Sequence, residues 1–498
     1  MKTPGRVAPL LVAILLALHS GAGIDGAQAA ISLPDIGETT ESFLSTKDEQ
    51  RYGEAFMRSI RHSLPLMDDA EVQNYVESLG NRLAANASAG SRRFFFFPVR
   101  DPAINAFAGP GGYIGINTGL ILTSDSEAEL ASVFAHEIAH VTQRHLARAF
   151  EEVSRMSVPM TAALIAALIL GSRSDSSQVT EAAIAATTAG SIQKQINFTR
   201  AHEQEADRVG LQILADSGYE PRAMPRFFER LQRASQYYDN LNLEFLRTHP
   251  VTVSRIADTR SRAEQYPELR ESVTDSFDLV RERVRVLQQG DPQKSIAWYR
   301  NALGTEGDAD RNALRYGLAV ALNAAGRHAE AREELAPLIA REPERPTYQL
   351  ALADAARGER RLYEALAISA HMLAIYPYHL PLTIHRAETL LEAGKPADAI
   401  RLIGDYMDAR PPRPELYRML AQARDMMNDR PAAQQALAEH YYLVGELGSA
   451  LEQLQMALRQ MPKEDVRAER IRARIDVMRS EWRARAKLTG ETTAPPPP

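Results

Sequence analysis

The 498-residue chain is long enough to bury two or three separate cores. A formal charge of −6 argues against nucleic acid as the main partner. The absence of cysteine excludes disulfide staples and a lipid on an N-terminal cysteine, so stability must come from apolar cores and any bound metal.

Lys2 and Arg6 precede an apolar run, Ala8 to Leu18, and Ala27-Gln28-Ala29 fits a small-residue cleavage site. Residues 1–29 therefore read as a secretory signal removed before Ala30, because the run is too short to span a bilayer. Losing Lys2 and Arg6 against Asp25 leaves the mature chain one unit more negative. An exported chain without disulfides suits the periplasm. A Pro/Gly/Thr-dotted arm covers 31–47, and helical patterns follow near 47–64 and 70–87. Arg93 to Val99 and Ala103 to Ala108 read as strands, Gly109 to Gly112 as a turn, and Tyr113 to Asn117 as a third strand. The stretch from Asn105 to Asn117 fits either an ordinary internal hairpin or an edge that pairs with an extended peptide. A helix is predicted over 126–149, with Ser124 or Ser126 as its cap and Glu127 and Glu129 favouring its N-terminus. A second runs over 198–217 and stops at Gly218.

Between those helices, Met160 to Leu170 and Glu181 to Gly190 are apolar, small-residue-rich and too short to cross a membrane. They fit a buried helical hairpin or a mobile hydrophobic lid over a site carried by the flanking helices.

From about residue 276 the chain repeats itself. Ala319, Ala353, Ala387 and Ala421 stand 34 residues apart. Ala297, Ala331, Ala365, Ala399 and Ala433 share that step, as do Pro343, Pro377 and Pro411, with turns marked at Gly326, Gly394 and Asn428. Small residues where paired helices cross, with proline at the exit, resemble the tetratricopeptide repeat, which stacks into a superhelix with a concave face. Gly445 stands where the next proline is due, and 434–482 reads as capping helices. The Arg-rich run from Arg467 to Lys487 is interspersed with Glu469, Asp476 and Glu481, which favours a solvated capping helix over a lipid-binding patch. A Pro-rich, disordered tail ends the chain.

The chemistry concentrates in His136-Glu137-Ile138-Ala139-His140. On a helix, residues i and i+4 share a face, so two imidazoles reach one metal ion while Glu137 stands beside a metal-activated water. Val133, Phe134, Ile138 and Ala139 make the stretch mostly apolar, and polar groups inside a core need partners that a metal supplies. A catalytic zinc needs a third protein ligand. Gln143 and Leu146 occupy the positions where metzincins carry Gly and His, which excludes that class. His145 is off register and reads as structural or solvent-facing. In Glu203-Gln204-Glu205-Ala206-Asp207, Glu203 and Asp207 share a face: Glu203 is the third-ligand candidate, and Asp207 would accept the outer N–H of a ligand histidine. Glu205, pointing nearly the opposite way, and His202 read as bystanders.

A leader, HExxH, the downstream glutamate motif and Thr248-His249-Pro250 together resemble the M48 family of zinc peptidases, in its periplasmic, repeat-bearing form, over roughly residues 31 to 482. The resemblance implies an α+β zinc peptidase domain at 30–275 and an α-solenoid of tetratricopeptide repeats at 276–482, mainly α with a small β-sheet, with 483–498 as the tail. It implies one Zn²⁺ per chain on His136, His140 and Glu203, with Glu137 catalytic. His249 near the metal is either an oxyanion stabiliser or a fourth ligand that holds the enzyme latent. The expected activity is zinc-dependent endoproteolysis of misfolded or misassembled outer-membrane β-barrel proteins, with help to their assembly. The expected partner of the repeats is the outer-membrane β-barrel assembly machinery, with peripheral membrane contact. The competing reading is a repeat scaffold or chaperone of outer-membrane assembly whose metal site is latent.

Overall fold

The structure, a computed structural model, describes residues 45–88, 90, 92–151, 200–237, 244–269, 275–305, 311–462 and 464–489. The expected signal, the arm up to residue 44, the hydrophobic 160–190 segment and the Pro-rich end lie outside the described residues. Among the described residues no helix is long and apolar enough to cross a membrane.

Two amphipathic helices lead. Ser45 caps α1 (Thr46–Ser63) and Asp69 caps α2 (Ala70–Ala84), each side chain accepting a free backbone N–H of the first turn. The sheet comes next, with strands β1 (Phe95–Val99), β2 (Ala106–Ala108) and β3 (Tyr113–Asn117). Its order is β1-β3-β2, β3 running parallel to β1 and antiparallel to β2. The β2–β3 turn needs glycine: Gly112 has φ 81°, and a Cβ there would lie 2.1 Å from the Arg93 carbonyl oxygen. After α3 (Thr118–Thr123) comes α4 (Glu127–Thr142), capped by Ser126. Nearly every α4 residue is buried, because the sheet and α2 cover one side and later helices the other.

The single helix expected over 126–149 is two. Arg144 takes a left-handed φ of 54° and separates α4 from α5 (His145–Glu151). The strand expected from Ala103 is confined to Ala106–Ala108. α6 (Arg200–Asp216), α7 (Ala223–Tyr237), the short α8 (Glu244–Thr248) and α9 (Val253–Ala263) close the core around Phe134, Phe227, Phe228 and Phe245.

Helices then alternate from α10 (Asp275–Gln289) to a last helix over Val466–Thr489, which carries regular structure past residue 482. Ala319, Ala353, Ala387, Ala331, Ala365 and Ala399 are fully buried where helices cross. Ala297 departs from its series: it is exposed, and Ile296 and Tyr299 fill the core instead. Gly326, Arg360, Gly394 and Asn428 all sit at φ between 59° and 73°, 34 residues apart. After each, the same bond closes the helix end, from the N–H of Arg327, Arg361, Lys395 or Asp429 to the carbonyl five residues back.

The repeats grip the two leading helices. Arg283 of α10 donates to Asp69, the cap of α2, at 2.8 Å and pairs with Glu71 at 2.8 Å. Arg413 pairs with Glu77 of α2, and Arg61 of α1 donates to the Val444 carbonyl at 2.9 Å.

Candidate metal centre

α6 crosses α4 with no side chain between them at one point. A Cβ on Gly210 would lie 3.1 Å from the backbone N and Cα of His136, closer than nearly all real contacts. That approach carries Glu203, two turns earlier on α6, across to the α4 histidines. His136 Nε2 and His140 Nε2 lie 3.0 Å apart, and Glu203 reaches each of them at 3.5 Å.

His249 comes from the loop after α8. Its backbone N–H donates to Phe245 at 2.7 Å, and its ring stacks on Phe245 with centroids 4.9 Å apart. Its Nδ1 lies 3.0 Å from Glu203 Oε1, and its Nε2 lies 3.4 Å from Glu137 Oε1. The ligand atoms of His136, His140, Glu203 and His249 all fall within 4.8 Å of one another, and all four residues are buried.

Three imidazole nitrogens and a carboxylate oxygen form the donor set that zinc prefers. Four such groups packed together away from water need a cation to offset their desolvation. Glu137 adds to the fit: among the described residues its buried Oε1 has no hydrogen-bond partner, and it lies 3.4 Å from His249 Nε2.

Residues 70–263 match Peptidase family M48, and residues 286–355 match the tetratricopeptide repeat. The chain is 37% identical over 401 residues to a putative beta-barrel assembly-enhancing protease of Vibrio cholerae, covering 80% of this chain and 82% of that one. It is 35% identical over 476 residues to the beta-barrel assembly-enhancing protease of Escherichia coli, covering 95% and 96% of the two chains. The chain belongs to peptidase family M48. A more distant relative, the mitochondrial metalloendopeptidase OMA1 of Arabidopsis thaliana, is 28% identical over 188 residues, covering 37% of this chain and 35% of that one. This M48 peptidase is a metalloendopeptidase, and its cofactor is zinc.

Around the M48 centre lies a layer that the sequence reading only partly reached. Asp207 Oδ1 lies 3.0 Å from His136 Nδ1, the side expected for an outer acceptor. Arg255 was not anticipated. From the first turn of α9 it donates to both Asp207 oxygens at 2.7 Å and reaches Glu203 Oε2 at 2.8 Å, tying the two carboxylates into one rigid group. Nothing near Arg255 in the sequence marks it out except its place five residues after Pro250, whose carbonyl it also binds at 2.8 Å.

His145 takes the structural of its two expected places, whereas Glu205 and His202 correct the reading. His145 is buried rather than solvent-facing, its Nδ1 lies 2.8 Å from His140 Nδ1, and its Nε2 lies 3.1 Å from Glu205. His202 stacks on the His145 ring at 4.6 Å. Neither Glu205 nor His202 is a bystander.

The surroundings separate the two central carboxylates. Burial lifts Glu137 above the ordinary glutamate range, against the opposing pull of His249 and His136. Burial pushes Glu203 the same way, but His249, His136 and His140 outweigh it and hold the group well below that range. One carboxylate is tuned to stay ionised, the other to take up a proton.

Proposed function

We propose that His136, His140 and Glu203 hold the zinc ion and that Glu137 is the general base of peptide hydrolysis. The observation that carries this reading is the buried four-donor group beside a carboxylate oxygen that, among the described residues, has no hydrogen-bond partner. Zinc supplies the Lewis acidity that brings water within reach of deprotonation near neutral pH. Glu137 takes the proton of the attacking water and returns it to the leaving amine. Asp207 orients His136 through its outer nitrogen, and Arg255 keeps Asp207 ionised.

β2 lies at an edge of the sheet, and the Ala108 backbone amide bonds to the Glu137 carboxyl. An extended peptide added alongside β2 would run past the base. Misassembled outer-membrane β-barrel proteins expose strands that have failed to pair, which suits such an edge, and the names of the bacterial relatives agree. The reading therefore is a periplasmic endopeptidase, matured by cleavage near Ala29-Ala30, that removes such proteins. Its catalytic domain spans 30–275, and its repeats at 276–482 engage the outer-membrane β-barrel assembly machinery.

His249 supports a second role. A catalytic zinc keeps one position open, and here a third imidazole stands in the donor group. We read His249 as a fourth ligand that holds the enzyme latent, and the scaffold activity of the repeats continues while it does. Metal analysis of the pure protein with casein cleavage, with and without chelator, tests the enzyme. His249→Ala should raise basal cleavage; a fall would assign His249 to the oxyanion instead. Glu137→Gln should lower cleavage by roughly 10²- to 10⁴-fold, and any assembly function that survives it undiminished belongs to the scaffold.

A further inference from the structure

Two zinc-facing histidines are supported in different ways. His136 turns its Nδ1 to a carboxylate, Asp207, at 3.0 Å. His140 turns its Nδ1 to a second imidazole, that of His145, at 2.8 Å. Two imidazole nitrogens at that distance form a hydrogen bond only if one carries the proton and the other does not.

The far side of His145 decides which. Its Nε2 faces Glu205 Oε2 at 3.1 Å, and Arg148 donates to the same oxygen at 2.9 Å. An ionised carboxylate only accepts, so His145 must carry its proton on Nε2. In the neutral ring its Nδ1 is then a bare lone pair and accepts from His140; an imidazolium would donate there instead and leave the His140 proton on Nε2, where the metal must bind. The proton of His140 is thereby fixed on Nδ1, and Nε2, which faces His136 and Glu203, is left free to bind a metal.

The backbone is bent to make this possible. On a continuous helix His145 would lie roughly 140° around the axis from His140 and could not meet its ring. The left-handed Arg144 redirects the chain between them, held in place by its buried pair with Glu49 at 2.8 Å. His202, stacked on the His145 ring, fixes its plane.

We infer that His145 is a positioning residue for the ligand His140, locked in a single tautomer by Glu205, and that this Glu205–His145–His140 chain sets how tightly zinc is held. The inference rests on the proposed ligand set. One helix, α6, thus supplies a ligand in Glu203 and support for both α4 histidines, directly through Asp207 and by relay through Glu205.

The test compares zinc dissociation constants, by chelator competition on the full-length protein, for wild type, His145→Leu, His145→Asn and Glu205→Gln. Asparagine keeps an acceptor near the position of Nδ1, whereas leucine fills the space without one. His145→Leu should bind zinc about 10- to 100-fold more weakly, as expected for loss of an outer-layer partner, and His145→Asn should recover most of that. Cleavage by His145→Leu should return toward wild type at saturating zinc. Asparagine no better than leucine, or leucine equal to wild type, overturns the relay. Should His145→Leu fail to fold, Glu205→Gln decides, since it keeps the shape but its amide can donate as well as accept and no longer fixes the His145 tautomer. A several-fold weaker affinity is expected, and an unchanged one overturns the relay. Wild-type protein that binds no zinc would overturn the ligand set itself, whereas stoichiometric zinc with indifferent variants overturns only the relay.

Discussion

Glu137 and Glu203 share one buried space, yet their neighbours drive them apart, and that separation has a measurable consequence. Glu137 works only when deprotonated, and burial holds its pKa above the ordinary value of 4.5. Activity is therefore lost as pH falls through the Glu137 pKa, with the charge of bound zinc opposing the upward push of burial. Zinc content measured on the same samples separates this from ligand loss: activity should decline before the metal leaves. A profile with no acid limb before the metal leaves would contradict the assignment. Glu137→Gln should lower kcat/KM by roughly 10²- to 10⁴-fold with zinc retained. At this scale the sequence was legible where spacing encodes geometry, as at His136, Glu137 and His140. Arg255 was not, because its partners are 48 and 52 residues away and its own surroundings hold no pattern. Arg360 shows the converse: the 34-residue register demands a left-handed residue, and an arginine fills the place with φ 63°. Arg360→Gly should stabilise the fold by about 1 kcal/mol, since its ion pair with Glu392 is exposed and contributes little. Thermal or urea unfolding checks this, and a loss of stability would show that the ion pair outweighs the backbone strain.

The elements carry the site through two backbone features. Gly210 lets α6 lie against His136 with no side chain between, and this crossing sets the distance from Glu203 to the histidines. An alanine there must push the backbone of one helix away by a few tenths of an ångström. Gly210→Ala should therefore weaken zinc binding by about tenfold and cost about 1–3 kcal/mol of stability. Chelator competition and unfolding of the same sample read both, and a variant equal to wild type in each would mean that the crossing has slack. The helix break at Arg144 is the second feature, and it explains why one helix was expected where two exist. No Gly, Asn or Pro marks residues 143–145, and the left-handed turn is held by a tertiary pair with Glu49 from the first helix. Local propensity favours continuation and a distant contact overrides it. The consequence reaches the site, because His145 looks off register only on the assumption of an unbroken helix.

Across the whole molecule, the repeat period was readable because it is written in the positions where helices touch, and the buried alanines follow it from Ala319 onward. Its first member fails at Ala297 because the opening helix pair packs with Ile296 and Tyr299 instead. The union of repeats and peptidase was not readable from spacing, since it depends on long-range pairs such as Arg283 with Asp69 and Glu71. Those pairs make the junction sensitive to pH in a definite direction. Asp69 is held below its usual range: burial opposes its charge, but Arg283 and the backbone amides at the start of α2 prevail. With the guanidinium already neutralised by Asp69, burial dominates at Glu71 and lifts it to about 8. The folded protein therefore keeps a proton that the unfolded chain has released above about 4.5. The stability this contributes is fully present below the unfolded value and is lost as pH rises through about 8. Glu71→Gln imitates the neutral form at every pH. Relative to wild type, its melting temperature should climb between pH values of about 4.5 and about 8 and level off above, and parallel curves would show that Glu71 is ionised in the junction and that Arg283 serves both carboxylates at once.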